Sequence, residues 1–233
     1  MIAASGGIEI NRKIAYKPII DEARTIAEHK VDHVLMLQRP EITADMEQEG
    51  DVDWHMAVNE AQPASYVEMD ATDPLYILYT SGTTGTPKGI VRDNGGHAVA
   101  LKYSMNYVYD TKPGEVFWAA SDVGWVVGHS YIVYGPLING CTTIMYEGKP
   151  IRTPDSGAFW RMIEEHKIKT LFTAPTAIRA IKKEDSKGEF FHKYDIGNFR
   201  RLYLAGERCD VATYEWAKGL LGEHKTLTHV HWN

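Results

Sequence analysis

Short apolar runs alternate along the chain with longer stretches in which apolar residues recur every three or four positions. The short runs predict β-strands, and the periodic stretches predict amphipathic α-helices. Predicted strands lie at 31–37, 75–80, 116–120, 142–146, 170–173, 201–205 and 226–232. Predicted helices lie at 21–30, 95–108, 156–166, 176–184 and 211–221. This alternation indicates βαβ units and an α/β fold with a mostly parallel sheet.

Two of these elements carry predictions about their packing. The run LYILYT at 75–80 is apolar and rich in aromatic residues, which predicts a buried strand. In the helix at 211–221, Ala212, Trp216 and Leu220 recur every four residues. This spacing places the three side chains on one face, which we predict to be the apolar face of the helix.

The segment 123–146 has no Asp, Glu, Lys or Arg in 24 residues and is long enough to span a bilayer. Its glycines, Pro136 and the polar residues His129, Ser130 and Asn139 argue against a membrane helix. We therefore expect a buried strand, turn and helix in this segment, and no membrane partner.

The composition is typical of a soluble globular protein. The chain has 233 residues, of which 44% are hydrophobic and 24% charged, and this length allows one large domain or two small ones. Disordered, collagen-like and mucin-like chains are thereby excluded. The net charge is −6, and six acids without a base lie at 41–53, which we interpret as a solvated loop. An acidic chain without a basic stripe argues against nucleic acid as a partner.

Cysteine and histidine are sparse where a metal site would need them. Cys141 and Cys209 lie 68 residues apart, which argues against a disulfide framework or a Cys-rich zinc site. His229 and His231 are two positions apart, but no third ligand is evident, so we predict no metal site. Reduced cysteines and the lack of a secretory signal predict a cytoplasmic protein, or a mitochondrial-matrix protein if the source is eukaryotic.

The most informative stretch is YTSGTTGTPKG, from Tyr79 to Gly89. Its glycines let backbone N–H groups converge on an oxyanion, its hydroxyls donate further hydrogen bonds, and Lys88 adds a positive charge. The order Lys88–Gly89 excludes a Walker A loop. Ligands collect at the carboxyl ends of parallel strands. We place three loops there, at 81–89, 121–129 and 206–210.

A family resemblance follows from this motif. YTSGTTGTPKG resembles the phosphate-binding signature of adenylate-forming enzymes, and SDVGWVVGHSYIVYGPL at 121–137 resembles the short-chain acyl-CoA synthetases that act on acetate and propionate. YEGKP, TPD, FTAPTAIRAI and LAGERCD also match, in order, so the resemblance covers 75–210. It implies layered, mostly parallel sheets with flanking helices, as in the large N-terminal domain of these enzymes.

The resemblance also implies which residues bind ATP. In this family ATP and a carboxylate give an acyl-adenylate and pyrophosphate, and coenzyme A then displaces AMP. Implied phosphate ligands are Thr80, Ser81, Gly82, Thr83, Thr84, Gly85 and Lys88. Lys88 and Thr84 are the implied catalytic residues, and Mg²⁺ is the implied metal cofactor of ATP. Gly206, Glu207 and Arg208 are implied to pack against adenine, although Glu207 and Arg208 alone would predict only an exposed ion pair.

The implied acyl pocket suggests a substrate size. Trp125, Val126 and Val127 are placed beside the acyl chain. Many similar acetate enzymes have Thr where this chain has Val127 and Val where it has Ala205. Replacing Val by Ala opens room for about one more carbon, worth about 0.8 kcal/mol per methylene. The pattern therefore favours propionate over acetate.

Members of the family are far longer than this chain. Residues 1–233 therefore resemble a fragment of the AMP-binding N-terminal domain, without the C-terminal lid domain. His231 and Trp232 match the start of a family motif whose second Trp is replaced here by Asn233. Two interpretations stay open, part of an acyl-CoA synthetase or an inactive nucleotide-phosphate binding module. We expect an uncovered sheet edge and apolar face, and hence self-association.

Overall fold

The computed structural model describes residues 1–10, 12–80 and 86–229. For His229 it describes the backbone but not the side chain. It divides the chain into two compact units, Met1–Val67 and Glu68–Asn233. Of the two arrangements that the length allows, one large domain or two smaller ones, the structure shows two units of unequal size.

The first unit is a small α/β unit. Its strands are β1 Ile2–Ala4, β2 Gly6–Glu9, β3 Arg12–Ala15, β4 Val34–Leu37 and β5 Asp51–Asp53. Its helices are α1 Lys17–Ile26 and α2 Trp54–Glu60. Strands β1, β4 and β5 form a parallel sheet in that order, and β2 pairs with β3 as an antiparallel hairpin.

The acidic stretch of this unit is not wholly a solvated loop. The side chain of Asp51 is only 1% exposed, and its carboxylate lies 2.9 Å from Lys17 Nζ and 3.0 Å from Arg24 Nη1. Burial alone would lower the pKa of Lys17, but its hydrogen bonds to Asp21 and Asp51 outweigh burial and raise it. Lys17 and Arg24 of α1 thus hold β5 in place through Asp51. The run of acids at 41–53 did not by itself indicate this contact.

The second unit contains the larger sheet. Its strands are β6 Pro74–Thr80, β7 Lys88–Asp93, β8 Val116–Ala119, β9 Thr142–Thr143, β10 Thr170–Thr173, β11 Arg201–Leu204 and β12 Thr226–His229. Its α-helices are α3 Asn94–Tyr107, α4 Val126–Gly128, α5 Gly135–Asn139, α6 Ala158–Glu165, α7 Pro175–Glu184 and α8 Val211–Leu221. A π-helical segment, His129–Tyr134, joins α4 to α5, and a 3₁₀ turn covers Phe191–Lys193.

The five-stranded sheet runs β12-β11-β10-β8-β9, with every pair parallel. Side chains alternate between its two faces because the strand period is two. Trp118, Leu171 and Leu202 enter one buried cluster, with residues of α6, α7 and α8. Phe117 and Phe172 enter the other, with residues of α3 and the π-helical segment. Helices thus cover both sheet faces, which confirms the α/β fold with flanking helices.

The helix α8 has the predicted bounds but a different buried face. Its buried residues are Thr213, Ala217 and Leu221. Trp216 is partly buried, and its indole N–H donates to the carbonyl oxygen of Ser186 at 2.8 Å. Of the predicted face, Trp216 and Leu220 pack against the same cluster from its border, whereas Ala212 is exposed.

The strand predicted at 75–80 is present as β6, but the prediction that it is buried was wrong. Within the described part of the chain, β6 pairs only with β7, in an antiparallel hairpin that forms a two-stranded sheet. One face of the hairpin packs inward, whereas Ile77 is 58% and Tyr79 71% exposed on the other. An apolar run on both faces requires a partner layer on each, and the described residues cover only one.

The uncharged segment 123–146 folds as a succession of short pieces. It contains α4, the π-helical segment, α5 and the short strand β9, which is less than the predicted 142–146. Gly140, with φ of +75°, ends α5 in the left-handed conformation that glycine favours. Across the parts of the chain that the structure describes, no helix is long and apolar enough to cross a membrane.

Candidate functional site

The glycine- and threonine-rich motif is the connection of an antiparallel hairpin. Thr80 ends β6, Lys88 begins β7, and the two are paired across the ladder. The sequence predicted a loop at 81–89 after a strand of a parallel sheet. In the structure the first and last residues of the motif belong to the antiparallel strands β6 and β7 instead. Lys88 is exposed, as are Thr86 and Pro87 before it. The backbone ladder fixes both ends of the connection.

Five of the predicted phosphate ligands lie outside the described residues. They are Ser81, Gly82, Thr83, Thr84 and Gly85. The structure therefore brings together Thr80 and Lys88, while the roles of the other five stay predictions. His231, the second half of the weak histidine pair, also lies outside the described part.

A second cluster lies where β10 and β11 end. Gly206 follows β11 with φ of +99°, a conformation that L side chains rarely adopt. Glu207 accepts a hydrogen bond from Thr176 Oγ1, and its Oε1 lies 3.6 Å from Arg179 Nη1. Glu207 is therefore paired with Arg179 of α7.

Asp210 belongs to the same cluster. Its Oδ2 accepts from Arg179 Nε at 3.0 Å, and its Oδ1 accepts from the backbone N–H of Thr213 at 2.9 Å as the N-cap of α8. These hydrogen bonds lower the pKa of Asp210 to about 2, and they raise the pKa of Arg179. Burial raises the pKa of the neighbouring Cys209 thiol, with the Asp210 charge adding to the effect.

Sequence reasoning missed Thr176, Arg179 and Asp210 as members of this cluster. One local signal was present, because Asp210 precedes the helix by one residue and an acid at the N-cap is favoured. The contribution of α7 depends on the order of strands in the sheet. Because β10 lies beside β11, the helix that follows β10 begins next to the loop that follows β11.

The predicted acyl wall divides into an exposed and a buried part. Trp125 is 66% and Val126 36% exposed, so neither packs as a core residue. Ala205 is only 5% exposed and belongs to the buried cluster with Phe172 and Tyr203. Val127 packs against that cluster from α4. The structure thus places Val127 and Ala205 at one cluster, and it leaves Trp125 in the open.

The hydroxyl groups of this cluster are tied to the protein. Tyr203 Oη donates to the carbonyl oxygen of Val108 at 2.5 Å, and Tyr131 Oη donates to Ser104 Oγ at 3.1 Å. Burial raises the pKa of Tyr203 and, more strongly, that of Tyr109. The cluster around Ala205 is therefore uncharged at neutral pH, which suits an apolar ligand group.

The described residues do not offer a separate metal site. No group of three or more His, Cys, Asp and Glu side chains close enough to hold a metal ion occurs in 1–10, 12–80 and 86–229. The two carboxylates at the strand ends, Glu207 and Asp210, are both paired with Arg179.

The sequence was compared with known families and proteins. A profile of the AMP-binding enzyme family matches residues 10–232. An uncharacterized protein of Pseudomonas aeruginosa is 53% identical over 232 residues, covering 100% of this chain and 36% of that protein. The rat mitochondrial acyl-CoA synthetase short-chain family member 3 is 52% identical over 219 residues, covering 94% of this chain and 32% of its own.

The fold was compared with solved structures. Acetoacetyl-CoA synthetase from Streptomyces lividans superimposes with a TM-score of 0.83, covering 99% of this chain and 35% of that one. The two sequences are 22% identical, so this likeness concerns the fold alone. The chain spans about a third of the length of the relatives that it matches.

Proposed function

The chain belongs to the AMP-binding enzyme family, and from this premise we propose that it forms part of a longer short-chain acyl-CoA synthetase. In the proposed reaction a carboxylate oxygen attacks the α-phosphorus of ATP, and the bond to pyrophosphate breaks. The thiol of coenzyme A then attacks the carbonyl carbon of the acyl-adenylate, and AMP leaves. Residues 1–233 would form part of the AMP-binding N-terminal domain, with the lid domain outside this chain.

One observation carries the proposal, the pairing of Thr80 with Lys88 at the base of the motif YTSGTTGTPKG. The hairpin holds a hydroxyl and an ammonium group at the two ends of a loop rich in glycine and threonine. Such a loop can direct backbone N–H groups at phosphate oxygens. We assign the β- and γ-phosphates to this loop, with Lys88 neutralising charge and Thr84 donating a hydrogen bond in the transition state.

We assign adenine to the loop Gly206–Arg208. The left-handed turn at Gly206 leaves open space where a side chain would begin, since nothing lies within 4 Å of an added Cβ. The contacts of Glu207 with Thr176 and Arg179 hold the loop against α7. A planar base could therefore approach the backbone closely, and Arg208 is exposed beside it.

We propose propionate as the preferred acid, with acetate also accepted. Val127 and Ala205 meet at the same uncharged cluster, and Ala205 is the smaller alternative at its position. Discrimination by one methylene in an apolar pocket is only about 10–200-fold. Trp125 and Val126 complete the proposed wall from the exposed side.

Magnesium and coenzyme A are proposed on the strength of the family. Since the strand-end carboxylates of the described part are paired with Arg179, we infer that Mg²⁺ arrives with ATP. The proposed partners are otherwise small molecules, and the proposed location is the cytoplasm or, in a eukaryote, the mitochondrial matrix.

The alternative is a nucleotide-phosphate binding module without turnover. The short span of the chain relative to its relatives favours this alternative for the isolated chain. Carboxylate-dependent exchange of labelled pyrophosphate into ATP separates the two, because exchange needs acyl-adenylate formation. Exchange with propionate supports catalysis by this chain. ATP binding without exchange supports the binding module, and the absence of both contradicts the assignment of phosphates to the hairpin.

A further inference from the structure

Four aromatic rings from three elements pack together on the inner face of the hairpin. Tyr76 of β6 is stacked with Tyr134 of the π-helical segment, with ring centroids 5.8 Å apart and planes at 8°. His129, at the start of the same segment, meets Tyr76 edge-on at 5.1 Å. His97 of α3 lies edge-on to Tyr76 at 5.6 Å and to Tyr134 at 5.8 Å. We call these four residues the ring cluster.

The ring cluster has a buried and uncharged centre. His97 is only 8% exposed, and its backbone N–H donates to Asp93 Oδ1 at 3.0 Å. Burial lowers the pKa of His97, the Arg92 charge lowers it further, and the Asp93 charge opposes both. Because its pKa falls below the ordinary value, His97 is neutral at pH 7. Ring packing holds the cluster together, and Tyr76 Oη also lies at hydrogen-bond distance, 3.5 Å, from His97 Nε2.

Short lengths of chain connect the ring cluster to both parts of the proposed active site, the phosphate-motif hairpin and the acyl wall. Tyr76 lies four residues before Thr80 on β6, and the ladder of β6 with β7 carries its position to Lys88. His129 follows Val127 by two residues, on a helix that continues without a break. Tyr134 also packs against the buried cluster that contains Ala205. A π-helical turn is rare in proteins as a whole, and those that occur frequently lie at functional sites.

The hairpin needs such an anchor. A two-stranded hairpin alone is marginally stable in water. Its outer face, with Ile77 and Tyr79, is exposed, so the ring contacts supply packing on the face where the hairpin meets the rest of the unit.

We propose that the ring cluster is a positioning device, which sets the phosphate-motif hairpin relative to the acyl wall. Tyr76 is its central positioning residue, and it touches neither ligand. The identity of the two ligands rests on the proposed function, whereas the anchoring of the hairpin does not. The consequence is that loosening the ring cluster weakens nucleotide binding at Thr80 and Lys88 from a distance.

The first experiment measures anchoring alone, by hydrogen–deuterium exchange of the whole chain. In Tyr76→Leu we expect hairpin amides such as Leu78 and Ile90 to exchange about tenfold faster, while β10 and β11 are unchanged. In Tyr76→Phe, which keeps the ring and removes only the 3.5 Å contact of Tyr76 Oη with His97 Nε2, exchange should stay within about twofold of the unaltered chain. Tyr103→Leu is the matched control, because Tyr103 is 61% exposed on α3. Unchanged hairpin exchange in Tyr76→Leu would overturn the anchoring role.

The second experiment measures ATP affinity by calorimetry on the same variants. We expect Tyr76→Leu to bind ATP about fivefold or more weakly, with Tyr76→Phe and Tyr103→Leu within about twofold of the unaltered chain. Tyr134→Leu tests the same contact from the other element, and it replaces Tyr76→Leu if that variant does not fold. Equal ATP affinity in a folded Tyr76→Leu with a loosened hairpin contradicts positioning. An unaltered chain that binds no ATP contradicts the proposed function instead, and hydrogen exchange then still decides the anchoring.

Discussion

Thr80 and Lys88 face each other as the last backbone pair of the hairpin, directly before its connecting loop. Cross-strand partners project to the same side of a sheet, with Cβ atoms about 5 Å apart. A hydroxyl and an ammonium group therefore lie side by side at the base of the glycine- and threonine-rich motif. This arrangement lets one phosphate group contact both side chains.

Removing the positive charge at this pair should weaken phosphate binding. We expect Lys88→Ala to lower the ATP affinity by about tenfold or more, because a hydrogen bond to a charged group contributes about 1.5–3 kcal/mol. The ATP affinity of Lys88→Arg should lie between those of the unaltered chain and Lys88→Ala, since a guanidinium group keeps the charge but not the shape of an ammonium group. Calorimetric titration measures the effect. Lys187→Ala, at an exposed loop position, is the control, and an equal loss in this control would show a general charge effect.

Substitution of Ala205 should change the preference between acids. Ala205→Val fills the space that we assign to the additional methylene of propionate. We expect the ratio of kcat/KM for propionate over acetate to fall by about 10-fold or more in the full-length enzyme, near the lower limit for one methylene. The measurement is carboxylate-dependent pyrophosphate exchange. An unaltered ratio, or a preference for acetate in the unaltered enzyme, would refute the proposed pocket.

The space that we assign beside Ala205 should also affect how strongly Ala205→Val destabilises the isolated chain. Ala119 and Ala205 belong to the same buried cluster, but Ala119 lies within the sheet and Ala205 follows the end of β11. Overpacking a filled core costs about 1–3 kcal/mol. We expect this loss in the free energy of unfolding for Ala119→Val and a smaller one for Ala205→Val, measured by urea denaturation. Equal losses would mean that the site of Ala205 is filled by protein atoms.

The contacts of Asp210 predict a pH dependence of stability. Hydrogen bonds from Arg179 and Thr213 lower the pKa of Asp210 from 3.8 to about 2 in the folded chain. A lowered folded-state pKa stabilises the fold above pH 4, and this contribution disappears as the pH falls from about 4 toward 2. We expect Asp210→Asn to lower the Tm at pH 7 by a few degrees at most, with a difference that shrinks below pH 4. Glu215→Gln, at an exposed position on α8, should show no such convergence.

The buried ion pairs of the first unit predict that removing the side chain of Asp51 strongly lowers the free energy of unfolding. Asp51→Ala would leave the side chains of Lys17 and Arg24, which are 8% and 15% exposed, without their shared carboxylate. Breaking a buried pair costs about 3–5 kcal/mol. We expect a loss near the lower limit, because Asp21 still contacts Lys17 at 2.7 Å. Exchange of the Val34 amide, which donates to the carbonyl of Gly50, reports the change. Asp45→Ala, at an exposed position, should leave exchange unaltered.

The outer face of the hairpin predicts self-association of the isolated chain. Ile77 and Val91 face each other across the ladder and are 58% and 55% exposed. Exposed apolar patches and unpaired strand edges favour association. We expect light scattering to show mass increasing with concentration, and Ile77→Lys to reduce it. A monodisperse monomer at all concentrations would contradict the prediction, and Glu215→Lys controls for net charge.

Local signals in the sequence were sufficient for the parallel core. The run 170–173 becomes β10 with the predicted bounds, and the helix 211–221 becomes α8, begun by the N-cap Asp210. An apolar run between polar residues, and an acid before an apolar period, depend on neighbours in sequence alone. For that reason the alternation of strands and helices predicted the fold class.

The features that sequence reasoning missed depend on partners distant in the chain. Asp51 reads as one acid among six, and only Lys17 and Arg24 on α1 make it a buried residue. The contact of Arg179 with Glu207 depends on the order of strands. The π-helical segment was missed because its period departs from 3.6 residues, and only a buried strand, turn and helix were predicted for 123–146.

The alternation of faces along β6 limits how this sequence can change in length. With Tyr76 held in the ring cluster, insertion or deletion of one residue between Tyr76 and Thr80 would turn Thr80 to the opposite face of the strand, because successive strand residues point to opposite sides. The same change would move Thr80 out of line with Lys88. A change in the number of residues in the connection between Thr80 and Lys88 leaves the register of β6 with β7 unaltered. Among descendants of this sequence, we therefore expect gaps to accumulate in that connection and to be absent from the two strands beside it.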